Sequence, residues 1–352
     1  MKATPIDIES IQKTHQAIPL THLLPDTNAN KHFYKNGLSK LIPRLTIKVH
    51  SDLEKCYSLW DAFSPRTSLF DAWDMRYSFY QAFEHKPYFY TLYEGRKALG
   101  VMPLWFNSQE QRYEFFGGWW VEGNSFFVSD EHLVDFFLAT LPTPMTLWSL
   151  RADQPFERMQ VFGSVDLDNE PNFYKNIEGI QSIDSLLKEY KKKDRHHLKT
   201  DYLRMKNYGV RLEVIEQDKQ EQLSVLETLF AMNIKRFASE KEKSVFEQEE
   251  YKTTFRQIVR NAGVYDVKFL VAKVQNHIAA VDMIITYNDI YYQFQGVNDT
   301  SRFNGIGNYM VYVELEDAIN HRFKMIDCLQ EDHTWKHRFF EKADRFIFSK
   351  DR

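Results

Sequence analysis

IYYQFQGVNDTSRFNGIGNYMVYVELEDAIN (290–320) reads as three pieces in succession. IYYQFQGV (290–297) has the aromatic and β-branched content of a strand. NDTSRFNGIG is a polar turn, and an amphipathic helix runs from about Asn308 to Asn320. Gly296, Gly305 and Gly307 fall in this one stretch of a chain that has only 13 glycines in 352 residues. The usual share is about 7%, so a cluster here carries weight. A turn between a strand and a helix directs backbone N–H groups outward together, and the helix dipole adds partial positive charge. That arrangement suits a diphosphate, and glycine permits both the close approach and a positive φ. The spacing is neither G-x-G-x-x-G nor G-x-x-x-x-G-K-[ST], which excludes the common dinucleotide and nucleoside-triphosphate loops. It is Arg302-Phe-Asn-Gly305-Ile-Gly307, an R-x-x-G-x-G. A tight turn that holds nothing is the alternative reading of the same residues.

Outward from this stretch, the chain repeats. With a shift of 179 residues, Tyr113, Phe115 and Gly117 fall on Tyr292, Phe294 and Gly296. The strand-like segments beginning at Phe89 and Leu99 fall on those beginning at Lys268 and Ile278. DEHLVDFFLATL (130–141) falls on YMVYVELEDAIN (309–320), and MTLWSL (145–150) on KMIDCL (324–329). Each half reads as two helices, a three-strand meander, a helix and a strand, which predicts a duplicated α+β fold. Composition divides the halves too. All eleven prolines lie at or before Pro171, and six of the seven tryptophans lie before residue 150. The expected organisation is an N-terminal extension (1–44), a first domain (45–165), a connector with basic helices (166–209) and a second domain (210–352). The connector helix is expected to end at Gly209 as its cap.

Bulk properties narrow the function classes. A chain 43% hydrophobic and 15% aromatic with net charge −4 fills sizeable cores and is not disordered. Its near-neutral charge argues against nucleic acid as the main partner. No run approaches the roughly 18 apolar residues of a membrane span, and MKATPIDIESIQKTH (1–15) shows no secretory leader. Cys56 and Cys328 are the only cysteines, which fits a reducing compartment, the cytoplasm. His333 and His337 stand one helical turn apart without the glutamate of H-E-x-x-H or an evident third ligand, so no metal is expected.

R-x-x-G-x-G between a strand and a helix resembles the pyrophosphate loop of the GNAT (GCN5-related N-acetyltransferase) superfamily. The longer text resembles its CelD-like, FemAB-related branch of tandem GNAT-like folds. Three stretches carry the likeness: Arg195-His-His-Leu198 through Arg204 to Gly209, Arg96 through Leu104 with Phe116-Gly117-Gly118, and Asp327-Cys-Leu329 through Trp335-Lys336 to Phe339. It covers roughly residues 45–345. The branch has tyrosine where Trp335 stands, and its loop is Ser-Pro-Gly. The resemblance implies two GNAT-like folds, each a mixed, mostly antiparallel sheet flanked by helices, with the substrate cleft between them. It implies acyl-CoA as co-substrate, held by the second copy alone. Gly296, Val297, Asn298, Arg302, Asn304, Gly305, Ile306, Gly307 and Asn308 would contact it. The implied activity is N-acyl transfer by direct attack of an amine, the acceptor being a small molecule, sugar or peptide. An aminoacyl-tRNA-dependent transferase of the FemAB kind and a non-catalytic GNAT-like binding protein are the competing readings.

Such a transfer needs a base for the amine, donors for the oxyanion and a proton for the leaving thiolate. In the GNAT picture, backbone from about Gln295 to Asn298 binds the pantetheine arm and the oxyanion. Asp282 interrupts the apolar strand IAAVDMII (278–285) and shares a face with Ala280 and Ile284, which implies burial and a partner. A structural ion pair is the competing role for it. Asp299 and His333 are further candidate bases, with Glu331. Lys336 matches the closing motif as a partner for a substrate anion. Arg236, Asp327 and Glu331 are candidate substrate contacts.

Overall fold

The computed structural model of the protein describes residues 16–24 and 28–351. Residues 1–15 and 25–27 of the expected N-terminal extension lie outside the described residues. The chain forms two units. One holds the residues up to Asn169 together with Asp344–Arg352, and the other spans Glu170–Ala343.

In the first unit, β1 (Ile18–Pro19), β2 (Leu45–His50), β3 (Pro87–Glu94), β4 (Lys97–Asn107) and β5 (Arg112–Phe115) follow one another in an antiparallel sheet. A short β6 (Phe127–Val128) pairs with β4. Two helices, α1 (Leu53–Phe63) and α2 (Trp73–Phe83), connect β2 to β3. Asp52 caps α1 by accepting from the Lys55 amide at 3.0 Å. After β5 the chain crosses through α3 (Leu133–Thr140) to β7 (Met145–Arg151), which lies parallel to β5 and pairs with it only at Tyr113 and Met145. β8 (Ser164–Leu167) closes this sheet beyond a strand taken from the chain's end.

The second unit repeats the plan. β10 (Val210–Ile215) opens it, and α4 (Lys192–Asn207) precedes it, with β9 (Asn172–Asn176) earlier still. Helices α5 (Lys219–Glu240) and α6 (Glu249–Asn261) lead to the meander β11 (Asp266–Val274), β12 (His277–Tyr287) and β13 (Ile290–Asn298). Helix α7 (Ile306–Asn320) crosses to β14 (Met325–Asp327), parallel to β13. The sheet order is β10-β11-β12-β13-β14-β9-β15, with β15 at Glu341–Ala343. The central strands are buried on both faces because helices cover both. Leu270, Ala272, Ala280 and Ile284 pack with α4 and α7 in one core, whereas Phe294 meets Phe255 of α6 at 5.4 Å. Tyr202 of α4 stacks on Tyr309 and Tyr312 of α7 at 5.7 and 3.9 Å, contacts that add about 1 kcal/mol each beyond area burial.

Both copies are therefore mixed, mostly antiparallel sheets flanked by helices, as expected. Three details differ from the reading of the sequence. First, the 179-residue register holds at the third strand but the preceding hairpin matches one residue later. The β-bulge falls at Leu92/Tyr93 in one copy and Ala272/Lys273 in the other. Second, each copy opens with a strand, β2 or β10, whose alternating apolar residues (Leu45, Ile47, Val49; Val210, Leu212, Val214) escape the shift because the following helices differ in length. Third, the segment expected as a connector is divided between the sheets, and the last strand, β16 (Arg345–Lys350), pairs with β7 and β8 of the first sheet. Helix α4 buries Leu198 and Met205 in the second core, so it is an integral helix there. It ends at Gly209, whose φ of 74° and amide bond to the Lys206 carbonyl (2.9 Å) make the expected left-handed cap. Among the described residues no helix is long and apolar enough to cross a membrane.

Candidate functional site

The site of interest forms where β13 leaves its neighbour. β12 pairs with β13 along its length, but β14 pairs with it only over Ile290–Tyr292. From Gln293 onward the strand has company on one side in the ladder. A bulge between Met283 and Ile284 of β12 marks the same point.

Asp282 stands opposite Gly296 across the β12–β13 pair. A Cβ at Gly296 would run into the Asp282 carboxylate, so glycine is what lets that side chain lie over the strand. The carboxylate accepts from the Val297 amide and shares a hydrogen bond with Glu314 of α7. Both acids are buried. Desolvation raises both above the usual carboxylate range, and the Asp282 charge pushes Glu314 up further. The two acids thus share a proton, and the direction of both shifts makes Glu314 the one that holds it longer as pH rises. Gln293 donates to Glu314, and the Cys328 thiol donates to the Gln293 carbonyl oxygen at 2.5 Å. Glu314 is the member of this acid pair that reading the sequence missed. Its signal was an acid among the apolar residues of the inner face of an amphipathic helix, seven residues after Gly307.

The glycine loop is built as a turn. Asp299 accepts from the Ser301 hydroxyl (2.6 Å) and the Arg302 amide (3.1 Å), and Phe303 N donates to the Asp299 carbonyl (2.9 Å). These donors, with Lys235 and Arg302 nearby, hold the Asp299 carboxyl below its ordinary range, which suits a turn former more than a base. Gly305 has φ 95° and begins α7, a conformation in which any Cβ is strained. Asn298 lies across from Gly307, with its side chain 3.5 Å from where a Cβ would stand. Arg302 and Asn304 are exposed, Ile306 is in the core, and the Gly307 and Asn308 amides have no acceptor among the described residues.

A carboxylate already sits at this helix start. A Cβ on Gly305 would lie 3.0 Å from the Asp201 carboxyl carbon. Asp201, from α4, accepts from the Asn308 side chain at 2.6 Å and pairs with Arg204 at 2.9 Å. This internal anion shows that the amino end of α7 accepts negative charge, and Arg204 offsets part of what Asp201 adds. A left-handed glycine, the Gly307 and Asn308 amides and exposed Arg302 suit a diphosphate, and the Asp201 carboxylate beside them opposes it in part.

The closing motif is placed differently from its expected use. Lys336 is buried, and its ammonium donates to the carbonyls of Cys328 (2.8 Å), Leu329 (3.4 Å) and Gln330. Three carbonyls take its three protons, so nothing is left for a substrate anion. Leu329 and Glu331 have φ of 59° and 81°, and Lys336 holds this strained turn together. Asp327 accepts from Asn172 (2.7 Å) and the Leu329 amide (2.8 Å), which also ties the turn. Glu331 and His333 are exposed and pair with each other at 2.9 Å. His333, with Lys336 and Arg236 close by, holds Glu331 low. Arg236 lies beside Phe237, with its Nε buried and unbonded. Among the described residues no group of His, Cys, Asp and Glu is arranged to hold a metal.

Comparison with known proteins fits this geometry. Residues 192–337 match the acetyltransferase (GNAT) domain family. The crystal structure of FemX has a TM-score of 0.56 at 9% identity, with 85% of this chain on 96% of that one. L-PGS from Bacillus licheniformis gives 0.55 at 12%, covering 86% and 93%. A tandem GNAT protein from the clavulanic acid biosynthesis pathway gives 0.52 at 10%, covering 86% and 97%. No curated protein matches the sequence. At these identities the likeness is one of fold alone, a GNAT-like one.

Proposed function

With that fold as premise, we propose that the chain is an acyl-CoA-dependent N-acyltransferase whose second copy carries the chemistry. The observation that supports it most is the proton-sharing pair Asp282–Glu314, set over Gly296 where β13 separates from β14. When bound, acyl-CoA supplies the acyl thioester. Gly305, Gly307, Asn308 and Arg302 hold the diphosphate, and backbone of β13 from Gln295 to Asn298 faces the pantetheine arm. Asp282 takes a proton from the acceptor amine, and Glu314 keeps it from being too weak a base. Lys336 and Asp327 act as positioning residues for the turn at 328–331. Asp299, as the cap of the glycine loop, holds Arg302 in place. Glu331, His333 and Arg236 flank the opposite end of that turn and are the substrate contacts of this reading. The acceptor is an amine on a small molecule, sugar or peptide. Two buried free cysteines support a reducing compartment, the cytoplasm.

Isothermal titration with acetyl-CoA, followed by free-thiol release over a panel of amines, tests the proposal. Micromolar binding that is lost in Gly305→Glu, with thiol release dependent on amine, is expected. No heat in the wild type overturns the coenzyme assignment. Binding without turnover on any amine favours a non-catalytic binding protein. The aminoacyl-tRNA-dependent alternative makes a different prediction. Under that reading acetyl-CoA gives no heat while a charged tRNA binds.

A further inference from the structure

The two copies differ at one sheet edge. In the first, β1 covers β2, pairing Ile18 with Ile47 and Pro19 with Thr46, and Leu20 and Leu24 are buried against the same core. In the second, β10 occupies the place of β2, yet among the described residues its only neighbour is β11. Four consecutive residues, Arg211 to Val214, are exposed, and Leu212 and Val214 are 36% and 48% accessible. They lie on the face of the sheet that carries Leu270 and Ala272, beside a groove of about 490 Å³ lined by Tyr202, Lys206, Tyr309 and Val313. Leu203 of α4 and Tyr208 at its end are exposed as well. A bare edge with outward apolar residues is a template for another strand.

We propose that β10 pairs antiparallel with β10 of a second copy of this chain, about a twofold axis through Leu212. The sequence of the edge selects this occupant. A twofold axis perpendicular to the sheet keeps the faces, so opposing residues must share parity. Centred on Leu212, the pairing sets Arg211 against Glu213 of the other copy on both sides of the axis. Leu212 meets Leu212, and Val210 meets Val214, which extends the apolar face. Shifting the centre by one residue either way sets Arg211 against Arg211 or Glu213 against Glu213. Only the Leu212 register joins opposite charges and apolar partners at once. Glu213 already pairs with Lys273 of β11, so the contact forms a ladder of alternating charge. Arg211 has no ion pair among the described residues and is left to supply the cross-copy partner.

Sedimentation equilibrium of the full chain tests this. Wild type is expected to be a dimer, and Leu212→Lys, which sets two ammonium groups face to face at the axis, to dissociate at least about tenfold more readily. Arg211→Glu and Glu213→Arg each create like-charge contacts alone and should be monomers. An equimolar mixture of the two restores both attractive contacts and should dimerise. Circular dichroism confirms that each variant folds, and Leu212→Lys serves if Glu213→Arg does not. A monomeric wild type overturns the proposal, including the case in which a different protein covers the edge. A wild-type dimer unmoved by Leu212→Lys and Arg211→Glu also overturns it.

Discussion

The turn after the third strand is plugged by a buried arginine in one copy and meets a carboxylate, Asp201, in the other. In the first copy, Gly117 and Gly118 have φ of 109° and 79°, and a Cβ on either would strike Val121, Arg76 or Trp105. Arg76 is buried there, donating to the carbonyls of Phe70 and Phe116 and to Asn124. Glu114, the residue that repeats as Gln293, is ringed by three neutral donors, Trp105, Asn107 and Trp148, and burial raises its pKa. Trp119, beyond it, is exposed and stacked on Trp120, while Phe126 and Phe127 are in the core. Among the described residues the second copy has no buried arginine at its turn. It has a left-handed glycine, free amides and an acid pair. Duplication supplied two equal scaffolds, and side-chain packing closed one of them.

The comparison can be broken most sharply at Asp282. Asp282→Asn should lower amine-dependent thiol release roughly 10³-fold, with the melting temperature held. Glu114→Gln in the closed copy should leave that rate unchanged. Equal losses in both would mean that the copies share the chemistry. Next in size is Lys336→Met, which strands three buried carbonyls and should cost about 3 kcal/mol in urea unfolding. Its counterpart work in the first copy falls to Asn124, which donates to the Val121 and Trp148 carbonyls at 2.9 Å. Asn124→Ala should therefore also destabilise, without touching acetyl-CoA affinity.

The acid pair predicts a slope of stability with pH. Glu314 binds its proton more tightly folded than unfolded, so its contribution is intact below its ordinary pKa of 4.5 and is lost as pH rises above that value. Wild type should lose more stability than Glu314→Gln between about pH 5 and about pH 8 in thermal melts. A parallel pH response of the two proteins would remove Glu314 as the proton holder. The smallest effect is expected at Asp201. Asp201→Asn removes a negative charge beside the loop and should tighten acetyl-CoA about threefold by titration calorimetry. Weaker binding in that variant would mean that Asp201 organises the loop through Asn308 instead.

Much of the fold was legible because alternation and helical period are local. The meander and the crossover helix repeat in the text itself, the glycine turn stands out in the second half alone, and Asp282 is a charge inside an apolar strand. The opening strands escaped notice because the helices after them differ in length, which breaks the shift. Glu314 escaped because its partner lies 32 positions earlier and on another element, so no local pattern joins them. Lys336 reads by its motif as a partner for a substrate anion, whereas its protons are spent on the carbonyls of Cys328, Leu329 and Gln330, a turn the folded chain wraps around it.

The sequence by itself determined which segments are strands and helices, that they come twice, and where a positive-φ turn must fall. Those follow from side-chain periodicity and the absence of a Cβ. Tertiary structure decided which acids share a proton, which carboxylate meets the start of α7, and which sheet edge stays bare. Each depends on the approach of residues far apart in the chain, where burial, not composition, sets charge and exposure.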